Sequence, residues 1–92
     1  MIRKKVSIVN DAGLHARPAS ELVKLASSFE SDFFIHMYGY RVNGKSILGV
    51  MTLAAEKGAE LELEFDGPDE DQAADAIVEL IDNGFEKEKD SQ

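Results

Sequence analysis

The chain has 92 residues, 43% of them hydrophobic and 30% charged, with a formal net charge of −8 and no cysteine. That length supports one modest core and excludes a deep multi-domain cleft, and the apolar content excludes a disordered chain. The acidic balance argues against nucleic acid as the main partner, the missing cysteines remove disulfides and thiolate metal sites, and no run approaches the roughly 20 apolar residues of a membrane span. A single soluble domain over residues 1–85 is expected, in the cytoplasm.

In chain order, Ile2 to Val9 alternates apolar and polar positions as a half-buried strand does. Asn10-Asp11-Ala12-Gly13 is a turn by composition. From Ala16 to Phe29 the apolar residues Ala19, Leu22, Val23, Ala26 and Phe29 recur at three and four, which predicts a helix with one buried stripe. Phe33 to Tyr38 is rich in strand formers, and Tyr38-Gly39 links it tightly to a short strand at Tyr40-Arg41-Val42. After the Asn43-Gly44 turn, Ser46 is placed to cap a short helix from Ile47 to about Ala54.

Glu60 to Phe65 is the cleanest strand, with Leu61, Leu63 and Phe65 on one face and Glu60, Glu62 and Glu64 on the other. The glutamates are expected on a solvated sheet face, since alternate carboxylates on a strand lack the convergence a cation requires. Gly67-Pro68 ends the strand, and Asp69 with Gln72 three residues on reads as a capping box. The last helix buries Ala73, Ile77, Leu80 and Ile81 and closes at Asn83-Gly84; residues 86–92 form a charged tail expected to fray. The order is β-α-β-β-α-β-α, an α+β chain whose economical arrangement is one antiparallel sheet with helices on a single side. His36, beside Phe34 and Tyr38 in a strand pattern, is assigned no role.

Chemistry concentrates in Gly13-Leu14-His15-Ala16-Arg17-Pro18. Pro18 suits a first helical turn, which places His15 at the helix mouth. A first turn leaves backbone N–H groups without intrahelical partners and carries partial positive charge, so it favours an anion. Histidine is not a preferred N-cap, and Arg17 adds a planar guanidinium suited to phosphate. Neutral imidazole is a competent nucleophile toward phosphorus near pH 7, and phosphoryl transfer asks mostly for positioning and charge stabilisation. The short second helix cannot bury all of Ile47, Leu48 and Met51 together with Val50 and Leu53, so an exposed apolar patch is expected there.

That segment together with Asn43-Gly44-Lys45-Ser46-Ile47-Leu48-Gly49-Val50-Met51 closely resembles the two signature segments of the HPr family. These are the histidine-containing phosphocarriers of the phosphoenolpyruvate-dependent sugar phosphotransferase system. The resemblance implies an open-faced β-sandwich, a four-stranded antiparallel sheet with three helices on one face. It implies that His15 takes a phosphoryl group from enzyme I through Nδ1 and passes it to enzyme IIA domains, with Arg17 stabilising the group in transit. Ser46 matches the serine modified by an ATP-dependent HPr kinase in the branch with regulatory phosphorylation. Ile47, Leu48 and Met51 match the apolar docking patch, bordered by Ser20 and Lys24 on the first helix. The implied protein is a monomeric carrier with no cofactor and no metal, not an enzyme in the turnover sense.

Asn83-Gly84-Phe85 and the acidic composition resemble NPr, the nitrogen-branch paralogue, whereas the Gly44–Met51 run leans toward HPr proper, so both branches stay open. The alternative function is a regulatory binding module whose main event is phosphorylation of Ser46 and docking to a transcriptional regulator.

Overall fold

A computed structural model describes residues 1–85; the expected fraying tail at 86–92 lies outside the described residues. The elements are β1 (Ile2–Ser7), α1 (Ala16–Ser27), β2 (Asp32–Met37), β3 (Tyr40–Asn43), α2 (Ile47–Thr52), β4 (Glu60–Asp66) and α3 (Glu70–Asp82). The strands form one antiparallel sheet in the order β1-β4-β2-β3. Period-two alternation puts Val6, Phe33, Ile35, Leu61, Leu63 and Phe65 on the face that the three helices cover. Across it lie Ala19, Leu22 and Ala26 of α1 and Ala73, Ala74, Ile77 and Ile81 of α3. Phe33 and Phe65, paired in register, stack at the centre with ring centroids 4.9 Å apart.

The expected element order is the observed one, and the differences sit at the ends. β1 stops at Ser7, after which Ile8 still exchanges backbone bonds with Ala59 and Gly58 while Val9 turns outward. α1 ends at Ser27, two residues before Phe29, because the Ser28 hydroxyl and amide both turn back onto the Leu25 carbonyl. Tyr38 leaves β2 in the left-handed region at φ +51, and α2 stops at Thr52 ahead of Ala54, which sits at φ +50. The buried stripe of α3 takes in Ala74 and leaves Leu80 half-buried.

Two expectations are corrected. Asp69 is the N-cap of α3, but its carboxylate makes no capping bond. It accepts instead from the amides of Glu30 and Ser31, each at 2.9 Å, and from the Ser31 hydroxyl, fastening the α1–β2 loop to the start of α3. The second correction concerns Glu64, which is 6% exposed although it stands on the face away from the helices. His36, Arg41 and Arg3 close over it.

Candidate functional site

The approach to the helix mouth is fixed by the backbone. Gly13 sits at φ +71, where a side chain is strained, and a Cβ there would collide with the Ala55 carbonyl. That carbonyl accepts the Leu14 amide at 2.9 Å, and Leu14 itself is buried. The loop before α1 is thus seated on the segment that follows α2.

His15 is the N-cap of α1, with extended backbone at φ −81 and ψ −170, and its side chain makes no capping hydrogen bond. Its carbonyl accepts the Ala19 amide at 2.9 Å and so begins the helix. Pro18 buries its ring in the core and offers no N–H, leaving the amides of Ala16 and Arg17 outside the helix's own pattern. The first turn holds no acidic residue. An exposed imidazole, the positive end of α1 and the exposed Arg17 therefore lie within three consecutive residues. With no acidic residue in the first turn itself, the positive end of α1 favours an anion there.

Ser20 and Lys24 continue up the exposed side of α1 one turn apart. α1 packs beside α2, where the expected division of apolar residues is found. Val50 is fully buried and Leu53 lies in the core, while Ile47, Leu48 and Met51 are 40%, 74% and 40% exposed. Six helical residues give one narrow inner stripe, and the remaining large side chains are left partly or mostly in solvent. Ser46 caps α2, its Oγ accepting the Gly49 amide at 3.1 Å. The neighbouring Lys45 ammonium donates to the Phe29 carbonyl at 2.9 Å, tying the start of α2 to the end of α1. His15, Arg17, Ser20, Lys24, Ser46 and the α2 patch are thus carried by two adjacent helices and the loops that join them to the sheet.

Among the described residues no group of three or more histidine, aspartate or glutamate side chains is arranged to hold a metal ion, and no helix is long and apolar enough to cross a membrane. Sequence reasoning missed one contributor, Asn10, whose side-chain amide donates to the Gly13 carbonyl at 2.8 Å. The available signal was an asparagine opening a turn three residues before a glycine.

The family model described as the PTS HPr component phosphorylation site matches residues 2–83. A phosphocarrier protein HPr of Treponema pallidum is 50% identical over 88 residues, spanning 96% of this chain and all of that one. One from Neisseria meningitidis is 46% identical over 85 residues, spanning 92% and 94% of the two chains. The crystal structure of HPr-C-His from Thermoanaerobacter tengcongensis superposes with a TM-score of 0.90 at 40% identity, covering 92% of this chain and 96% of that one.

Proposed function

The chain belongs to the HPr family of phosphocarriers, and from that premise we propose that it relays a phosphoryl group on His15 between phospho-enzyme I and enzyme IIA domains in sugar transport. The observation that carries this reading is the exposed His15 imidazole at the N-cap of α1, without a capping bond of its own and two residues from Arg17.

In the proposed step, the Nδ1 lone pair of His15 attacks the phosphorus held on enzyme I. The bond from phosphorus to the donor breaks as the new N–P bond to His15 forms, and the donor keeps the released electron pair. Arg17 and the amides of the first turn face the charge on the three equatorial oxygens. The same groups release the phosphoryl to the next acceptor, which a shallow exposed site favours over a closed cleft. The protein is consumed and regenerated stoichiometrically, and so acts as a carrier in the cytoplasm. Ile47, Leu48 and Met51, bordered by Ser20 and Lys24, supply the contact patch for both partners.

The test is the intact mass of the protein after incubation with phosphoenolpyruvate and enzyme I, before and after brief acid treatment. One added phosphate that acid removes supports the carrier; no added phosphate overturns it.

One observation favours a second, regulatory reading. Ser46 is half-exposed at the edge of the docking patch. A kinase using ATP would place roughly −1.5 to −2 charges beside those apolar side chains. An acid-stable phosphate added only with ATP and a serine kinase would make Ser46, and docking to a transcriptional regulator, the main event.

A further inference from the structure

The peptide group joining Gly13 to Leu14 is held at both polar ends. Its carbonyl accepts the Asn10 Nδ2 at 2.8 Å, and its N–H donates to the Ala55 carbonyl at 2.9 Å. The Gly13 amide closes the turn by donating to the Asn10 carbonyl at 3.1 Å. One residue further on, the His15 carbonyl is fixed by the Ala19 amide. With the Leu14 side chain buried as well, the backbone is pinned on both sides of His15.

The Asn10 side chain is oriented for this contact alone. Its Oδ1 is buried and meets no hydrogen-bond donor among the described residues. Turning the amide over would set Oδ1 against the Gly13 carbonyl, acceptor facing acceptor, so the present orientation is the one the carbonyl dictates. A buried acceptor without a donor is costly, and one in a folded chain calls for an explanation in what the rest of its side chain does. Here the other atom fixes the turn that delivers the histidine. A second tie crosses the same gap, from the Lys57 ammonium to the Asp11 carboxylate at 2.8 Å, but it is exposed and open to screening.

We propose that Asn10 is a positioning residue for phosphoryl transfer, holding the Gly13–Leu14 peptide so that the His15 ring meets the phosphorus in line. The inference rests on the carrier reading and adds a residue to it. In this role Asn10 acts through the backbone, by its bond to the Gly13 carbonyl. In-line transfer is sensitive to such placement, and a misplacement near 1 Å costs up to about 100-fold in rate.

The experiment compares the full chain with Asn10→Ala and Asn10→Ser. The alanine removes the tie and the orphan acceptor together, and the serine keeps a short donor within a residue that favours turns. Two quantities are read: the transfer rate from phospho-enzyme I at saturating and limiting carrier, and hydrogen exchange at the Leu14 amide. We expect Asn10→Ala to fold, to lower the saturating rate about tenfold with the concentration dependence unchanged, and to speed Leu14 exchange. Asn10→Ser recovers part of each. A saturating rate within twofold of the parent would overturn the proposal even if the melting temperature fell. If the parent chain accepts no phosphoryl group, the carrier reading fails and with it the positioning role, while Leu14 exchange still reports whether the tie exists.

Discussion

Glu64 and His36 are joined across neighbouring strands, Oε1 to Nε2 at 2.8 Å, on the face of the sheet turned away from the helices. Around them the order β1-β4-β2-β3 assembles a cross-strand network. Arg3 reaches Glu62 at 3.3 Å and Glu64 at 3.8 Å from β1, and Arg41 reaches Glu64 at 3.7 Å from β3. The Arg41 guanidinium also lies 3.7 Å over the Phe34 ring. The open face is therefore roofed by its own side chains, and Glu64 loses water although no helix covers it.

Stability should fall on acidification partly through this carboxylate. The hydrogen bond to His36, with Arg41 and Arg3 nearby, holds the Glu64 pKa below its ordinary 4.5 against the opposing pull of burial. A depressed folded value means that the contribution is complete above pH 4.5 and is lost as pH falls through the folded pKa. Glu64→Gln should cost about 1.5 kcal/mol at pH 7, the scale of a hydrogen bond to a charged group, and flatten the pH dependence below that value. Urea midpoints for parent and variant at pH 7 and pH 3 measure both; parallel losses in the two proteins would remove Glu64 from the acid transition.

Asp69 should behave as a tether of the loop between α1 and β2. The Ser31 hydroxyl and the Glu30 and Ser31 amides lower its pKa, so this fastening too is lost as pH drops below the ordinary carboxylate range. Asp69→Ala should lower the melting temperature and expose the Glu30 and Ser31 amides to hydrogen exchange, with transfer at His15 kept. Unchanged protection of those amides would mean the loop holds itself.

What the sequence disclosed and what it concealed divide along the range of the interaction. Helix stripes, the β4 alternation and the His15 motif depend on residues a few positions apart, so Leu22, Leu63 and Arg17 stand where periodicity and motif place them. Glu64 was misplaced because its burial depends on Arg3, 61 positions back, and on Arg41, facts of strand order rather than of pattern. The Asp69–Gln72 box failed for the same reason: a distant loop offered three donors and the local amide lost the competition. In the site, the exposed apolar excess of α2 was readable from length alone. The fixing of the Gly13 peptide was not, since half of it comes from Ala55.

Leu48 is the residue at which the proposed docking role can be tested apart from folding. It is 74% exposed, while Val50 two residues away is fully buried. Leu48→Glu should leave stability within about 0.5 kcal/mol and raise the carrier concentration needed for half-maximal transfer about tenfold, as loss of an interface anchor does. Val50→Ala should do the reverse, destabilising by about 2 kcal/mol with docking kept in the folded fraction. Thermal melts and transfer kinetics on both variants check the division, and equal transfer by Leu48→Glu would move the docking surface off α2.

Ser46 is the cap of α2, and two substitutions can pull that structural role apart from the regulatory one proposed for it. Its Oγ accepts the Gly49 amide, so Ser46→Ala should cost about 1 kcal/mol through the lost cap and leave partner binding intact. Ser46→Asp keeps a good capping oxygen and meets the helix dipole favourably, so its stability should stay near that of the parent. It also fixes a negative charge beside Ile47, Leu48 and Met51, and that charge must be desolvated when an apolar partner surface closes over the patch. Binding to enzyme I should therefore weaken in Ser46→Asp and not in Ser46→Ala, the opposite ranking to stability. Calorimetric binding set against melting temperature gives the comparison directly. If affinity follows stability across the pair, the serine is a cap and nothing more; if the rankings cross, the α2 surface senses charge at position 46.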